Sequence, residues 1–178
     1  MGPGRCARSA DNRSTAWTWT SRARARPATP RSPAGCAASW TAPPATGSFT
    51  AAPQCPYPDA FLGPAAGTAF GDAADAFDYV FVQFYNNFRS ASSGAPFQEA
   101  FARWRTLSES GGPRVVVGLA ATPEAAPAGG YVDPSALPAL IDSVAGDPAF
   151  AGVMLWDVSF DRNSGDPTYS DVAEQALP

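Results

Sequence analysis

Residues Phe77-Asp-Tyr-Val-Phe-Val-Gln-Phe-Tyr85 decide the fold. The run is dense in β-branched and aromatic side chains. A strand covered on both faces is near-continuously apolar in this way. Two later stretches repeat the pattern, Arg114-Val-Val-Val-Gly-Leu-Ala120 and Gly152-Val-Met-Leu-Trp156. The segments between them have a different period. Ala95 to Leu107 places Phe97, Ala100, Phe101 and Trp104 at helical spacing. Pro134 to Val144 predicts a second helix, with Asp133 as N-cap and Pro at the first helical position. Asp171 to Ala176 could start a last helix, and Ser48 to Ala52 is a weaker strand cut short at Pro53. Strand, helix, strand, helix in this order predicts an α/β fold of parallel βα units. In parallel α/β barrels the chemistry gathers in the loops after the strands. Here those strand ends carry Gln83 and Asn86, Ala120 and Ala121, and Asp157.

Upstream the composition changes. Residues 1–46 hold seven Arg and one acid, Asp11, whereas residues 47–178 hold five Arg and fifteen acids. The first segment includes Ser21-Arg-Ala-Arg-Ala-Arg-Pro-Ala-Thr-Pro-Arg-Ser-Pro-Ala-Gly35, which has neither period and too much Pro for helix or strand. It is expected to be a disordered Arg/Pro-rich leader. A nucleic-acid or membrane-surface arm is the alternative, and Trp17, Trp19 and Trp40 speak against it. Met1-Gly-Pro-Gly-Arg-Cys6 leads into no apolar stretch, so no signal peptide is expected there.

The remaining bounds are simple. The 178 residues suit one domain or a fragment of a larger one, and 45% hydrophobic residues is too many for a wholly disordered chain. The formal charge of −4 argues against nucleic acid as a partner. No apolar run approaches the roughly 18 residues of a membrane helix, so no membrane partner is expected. The chain has no His, which excludes His-based acid–base catalysis and His-ligated metal sites. No metal and no cofactor is expected. Its three Cys cannot all pair with one another.

Four stretches carry a family resemblance. Ala51-Ala-Pro-Gln-Cys-Pro-Tyr-Pro-Asp59, Phe77 to Asn87, Gly118-Leu-Ala-Ala-Thr-Pro-Glu-Ala-Ala126 and Gly152-Val-Met-Leu-Trp-Asp157 resemble, in order and spacing, the class III chitinases of glycoside hydrolase family eighteen. The resemblance runs from about Gly47 to about Ala176. It implies a partial TIM (β/α) barrel, roughly the last four βα units, with the first half of the barrel expected upstream. It further implies hydrolysis of β-1,4-linked N-acetylglucosamine polymers, with chitin or its oligomers as partner. An extracellular location and a monomeric state are expected of the intact family.

The family's fourth strand carries D-G-x-D-x-D-x-E, whose Glu protonates the glycosidic oxygen and whose last Asp steers the substrate's N-acetyl group. No such run exists in this chain. In its place stands Thr15-Ala-Trp-Thr-Trp-Thr-Ser-Arg22. The chain has no Lys and is rich in Ala, Gly and Pro, which suggests GC-rich codons. Back-translated so and shifted by one base, the stretch becomes D-G-V-D-L-D-I-E. Trp has a single codon, and both Trp17 and Trp19 fit. Residues 1–46 are therefore expected to be out of frame. As written, Arg22 stands where the Glu should be and Thr20 where the Asp should be. A guanidinium stays protonated and cannot serve as the acid, so this chain is expected to be inactive.

The resemblance also names partial site residues. Tyr85 matches the family Tyr whose hydroxyl contacts the acetamido oxygen in a retaining, substrate-assisted reaction. Gln83 and Asn86 match polar residues lining the same pocket. Trp156 matches the indole under the distorted sugar, and Asp157 beside it could touch sugar hydroxyls. Taken singly, Tyr85 and Trp156 could be core aromatics and Gln83 a satisfied core amide. Asp161 and Asp166 flank Arg162-Asn-Ser-Gly165, a turn in which solvation is the expected role. Cys55 matches a family Cys whose partner is absent after Asn87, so that bridge is not expected. The competing expectations are a non-catalytic, lectin-like barrel and a fragment without function.

Overall fold

The computed structural model describes residues 47–178. The leader and its Thr20, Arg22, Cys6 and Cys36 lie outside the described residues. Four strands form one parallel sheet in sequence order: β1 (Thr50–Ala51), β2 (Tyr79–Gln83), β3 (Arg114–Ala120) and β4 (Phe150–Trp156). Six helices accompany them: α1 (Ala69–Asp72), α2 (Ala95–Trp104), α3 (Thr106–Glu109), α4 (Leu137–Ala145), α5 (Val158–Asp161) and α6 (Tyr169–Ala176). Each strand is thus followed by helix before the next strand begins, as the alternating periods require.

Register explains which face is which. Tyr79 pairs with Arg114, Phe81 with Val116, Gln83 with Gly118, and Gly118 with Met154. Side chains alternate along a strand, so these residues share the concave face, and Trp156 at the end of β4 continues it. The other face carries Val80, Val82, Val115, Val117 and Leu119, all at most 2% exposed. These pack with Phe97, Ala100, Phe101 and Trp104 of α2 and with Leu137, Ile141 and Val144 of α4 in one core. The helical spacing seen in the sequence is therefore the spacing of the sheet-facing stripe. Burying such Val and Leu side chains stabilises by about 1.5–3 kcal/mol each.

Local chemistry sets the element ends. The weak strand is shorter than expected, two residues rather than Ser48 to Ala52. The helix expected to reach Leu107 ends at Trp104, and α3 follows as a separate turn. The stretch from Pro134 begins as a 3₁₀ turn, Pro134–Ala136, with Asp133 accepting the Ser135 N–H at 2.9 Å, before α4 continues it. α6 starts earlier than Asp171 because Thr168 and Asp171 form a reciprocal capping box. Trp104, fully buried, donates its indole N–H to the Cys55 carbonyl at 3.0 Å and so ties α2 to the segment after β1. Cys55 itself is a free thiol, and burial pushes it up to about 11.

Candidate functional site

The carboxyl ends of β2, β3 and β4 converge on one rim. Tyr85 lies two residues beyond β2 and is 5% exposed. It packs with Ala120, Ala125 and Ala126 from the end of β3 and its following loop, and with the half-buried Tyr131 and Phe160. That loop passes very close: a Cβ at Gly130, which has φ +99°, would lie 2.9 Å from the Tyr85 Cα and 2.6 Å from the Ser90 Cβ. Only a residue without a side chain fits there. Sequence reasoning did not single out Gly130 or Tyr131, although the Gly129-Gly130 pair was a visible signal of a tight passage.

Asn86 builds the same contact from the other side. It holds a left-handed backbone conformation, φ 56°, which Asn tolerates better than most residues. Its N–H donates to the Gly129 carbonyl at 2.7 Å, and its Oδ1 accepts the Ala128 N–H at 2.9 Å. Asn86 therefore clamps the loop after β3 onto the end of β2. Gln83 is also engaged. Its Nε2 donates to the Ala52 carbonyl at 2.7 Å, and its Oε1 accepts from Gln54 Nε2 at 3.1 Å. Beyond the two residues of β1, this amide continues the link between the first and second units.

Trp156 ends β4 with its indole 50% exposed on the concave side. A half-exposed indole offers a flat apolar face with a polar handle. The Trp156–Asp157 peptide is cis. Asp157 then starts α5, its Oδ1 accepting from Ser159 N at 2.8 Å, Ser159 Oγ at 2.6 Å and Phe160 N at 3.3 Å. These bonds, the Ser159 hydroxyl foremost, hold its carboxyl below the usual Asp value. Tyr85 responds: burial first, then the Asp157 charge, pushes its hydroxyl up to about 12. Tyr85 and Asp157 thus sense each other across the rim, and the Tyr85 hydroxyl stays protonated at neutral pH.

Other carboxylates have local duties. Asp161 accepts the Ser170 N–H at 2.8 Å and the Ser170 hydroxyl at 2.7 Å, joining the turn after α5 to α6. Glu124 sits in the turn after β3, its carboxyl lowered by its own backbone N–H and then by the Thr122 hydroxyl. Tyr131 is raised by burial, then by Asp133 and Glu124. Among the described residues no group of three or more His, Cys, Asp or Glu is placed to hold a metal ion. The rim has a protonated phenol, an exposed indole and an ionised carboxylate. This set suits a neutral polyhydroxylated ring with a polar substituent.

No family model matches the chain. Over 118 residues it is 38% identical to an acidic endochitinase of Cicer arietinum, a match covering 66% of this chain and 38% of that protein. The crystal structure of ICChI chitinase from Ipomoea carnea matches with TM-score 0.57 and 27% identity, over 73% of this chain and 44% of that one. The xylanase and α-amylase inhibitor protein XAIP-II from Scadoxus multiflorus matches with TM-score 0.57 and 34% identity, over 72% and 44%. The chain therefore spans less than half the length of these relatives. It resembles a partial class III chitinase of glycoside hydrolase family eighteen, and its parallel sheet and helices form part of a TIM barrel.

Proposed function

We propose that this chitinase-like chain carries the sugar-holding part of a glycoside hydrolase site for β-1,4-linked N-acetylglucosamine polymers, without the acid that cleaves them. One observation supports the reading: Tyr85 follows β2 and Trp156 ends β4 at the same end of the parallel sheet, and the charge of Asp157, next to Trp156, adds to burial in raising the Tyr85 hydroxyl. The identities to endochitinases support the ligand class.

The reaction of the intact site is substrate-assisted and retaining. The substrate's acetamido oxygen attacks the anomeric carbon as the bond to the leaving sugar oxygen breaks. A cyclic oxazolinium ion forms, and water then opens it. The Tyr85 hydroxyl, kept protonated by burial and by the Asp157 charge, donates a hydrogen bond to the acetamido oxygen. The Trp156 indole stacks under the reacting sugar, while Gln83 and Asn86 hold the loops that frame the pocket. The leaving oxygen needs a proton from a carboxylic acid. The D-G-x-D-x-D-x-E run that would supply it is missing from the sequence, where Arg22 and Thr20 stand instead. We attribute this to a shifted reading frame over residues 1–46. Codons of the GAC-GGC-GTG-GAC kind, one base out of phase, support that origin, and in-phase codons that cannot yield the motif overturn it. The intact product is expected outside the cell.

Tryptophan fluorescence titration with an N-acetylglucosamine oligomer, run beside a product assay, tests the reading. We expect saturable binding, no turnover, and at least a tenfold loss of affinity in Trp156→Ala, about 1.4 kcal/mol. Turnover by the purified chain overturns the missing-acid claim, and absence of binding overturns the site. A second reading, a barrel that only binds carbohydrate, draws support from the 34% identity to a protein described as an inhibitor. Restoring the frame and the upstream half separates the two: hydrolysis favours the enzyme, tight binding without hydrolysis the lectin-like protein.

A further inference from the structure

We propose that Phe88 and Asn87 form a second sugar-holding subsite, which takes a neighbouring unit of the polymer whose reacting sugar lies over Trp156. The inference rests on the reading above and extends it from one sugar to a longer chain.

The loop that carries the two residues has its surroundings in place. β2 is paired on both sides, with β1 and with β3. The segment that follows it, residues 84–91, is a closed lobe. At its base the Ala91 N–H donates to the Phe84 carbonyl at 2.8 Å, and at its tip the Ser90 N–H donates to the Asn87 carbonyl at 3.2 Å. Asn86 ties the lobe to Ala128 and Gly129 of the loop after β3. Tyr85 lies at the buried foot of the lobe, and Phe88 at its tip is 72% exposed. Three residues of chain span at most about 10 Å. A polymer held at Tyr85 therefore reaches Phe88 with a neighbouring unit.

Phe88 is exposed but braced. The Arg89 guanidinium carbon sits 5.6 Å from its ring centroid, within the range of a cation–π contact. Arg89 Nη1 in turn pairs with Glu99 Oε2 of α2 at 3.0 Å. Among the described residues no other ring has a guanidinium over it, and Phe61, 88% exposed, lacks such a brace. A side chain already fixed in place loses less freedom on binding.

The chemistry beside the ring selects the occupant. A flat apolar ring suits the C–H face of a pyranose. Asn87 Oδ1 accepts the Phe88 N–H at 2.9 Å, while its Nδ2 makes no bond among the described residues. Two amide donors are thus left beside the ring for a hydroxyl or an acetamido oxygen. Arg89 is the only cation of the lobe, and Glu99 pairs it. An anionic group finds no free charge there, and a neutral sugar needs none.

Isothermal titration of the full chain with the disaccharide and the hexasaccharide of N-acetylglucosamine tests this. We expect the wild type to bind the longer oligomer more tightly. Phe88→Ala should lower the hexasaccharide affinity about tenfold and leave the disaccharide unchanged. Asn87→Ala should do the same to a smaller extent, and Phe88→Trp should keep the preference for length. Trp156→Ala should weaken both ligands alike. Thermal unfolding of Phe88→Ala at the wild-type temperature shows that its loss is one of contact. Phe88→Ala that binds both oligomers as the wild type does, or that weakens both equally, overturns this subsite and leaves the Trp156 site standing. So does a wild type without preference for length. A wild type that binds neither oligomer overturns the site and the subsite together.

Discussion

Strands β3 and β4 are equal in length and alike in composition, yet one is sealed and the other half open. Among the described residues β3 has a partner on each side and is buried from Val115 to Ala120, whereas β4 has one partner and ends in an exposed indole. The difference lies in neighbours, not in residues. Apolar content alone does not say how much surface a strand loses to water; its place in the sheet does.

Leucine truncation breaks or sharpens the contrast most strongly. Leu119→Ala in β3, fully buried, should cost about 3 kcal/mol, whereas Leu155→Ala in β4 should cost about 1 kcal/mol. Guanidinium unfolding followed by circular dichroism measures both. Equal costs would mean that the second edge of β4, unpaired among the described residues, is covered in solution. Gly118→Ala tests the contact between the two strands. Its Cβ would lie 2.7 Å from the Val82 carbonyl oxygen and 2.9 Å from Met154 Cε. The methionine can move and the backbone cannot, so a loss of about 2 kcal/mol is expected.

Much of this was legible in advance because strong apolar runs and helical spacing report burial directly. The second, third and fourth strands and the stripe Phe97, Ala100, Phe101, Trp104 fall where the sequence puts them. The missed elements depend on single polar bonds. α5 is a four-residue helix started by the Asp157 side chain, and nothing periodic announces it. Asp161, expected to be solvated, instead holds Ser170, nine residues away. Around the site, Tyr85 and Trp156 could be named from motif, but the clamp of Asn86 on Ala128 and Gly129 joins residues more than forty apart. A one-dimensional pattern carries no record of such pairs.

Smaller effects belong to the cap that follows β4. Asp157→Ala removes the acceptor for the Ser159 and Phe160 N–H groups and should cost about 1 kcal/mol in the same unfolding assay. Its pH dependence has a definite sign. The folded pKa of Asp157 lies below the unfolded one, so its contribution is present above the unfolded value and fades as pH falls through the folded value. Because the group is solvent-facing, the change should be slight. Comparing wild type with Asp157→Asn between pH 5 and pH 2 should show the difference shrinking as acid is added.

The sheet order has a consequence for how the chain is made. Thr50 meets Tyr79, Tyr79 meets Arg114, and Val116 meets Gly152, so no pair in the sheet is separated by more than 36 residues. A nascent chain leaving the ribosome delivers these described partners one after another. Assembly of the described strands can keep pace with synthesis, unit by unit.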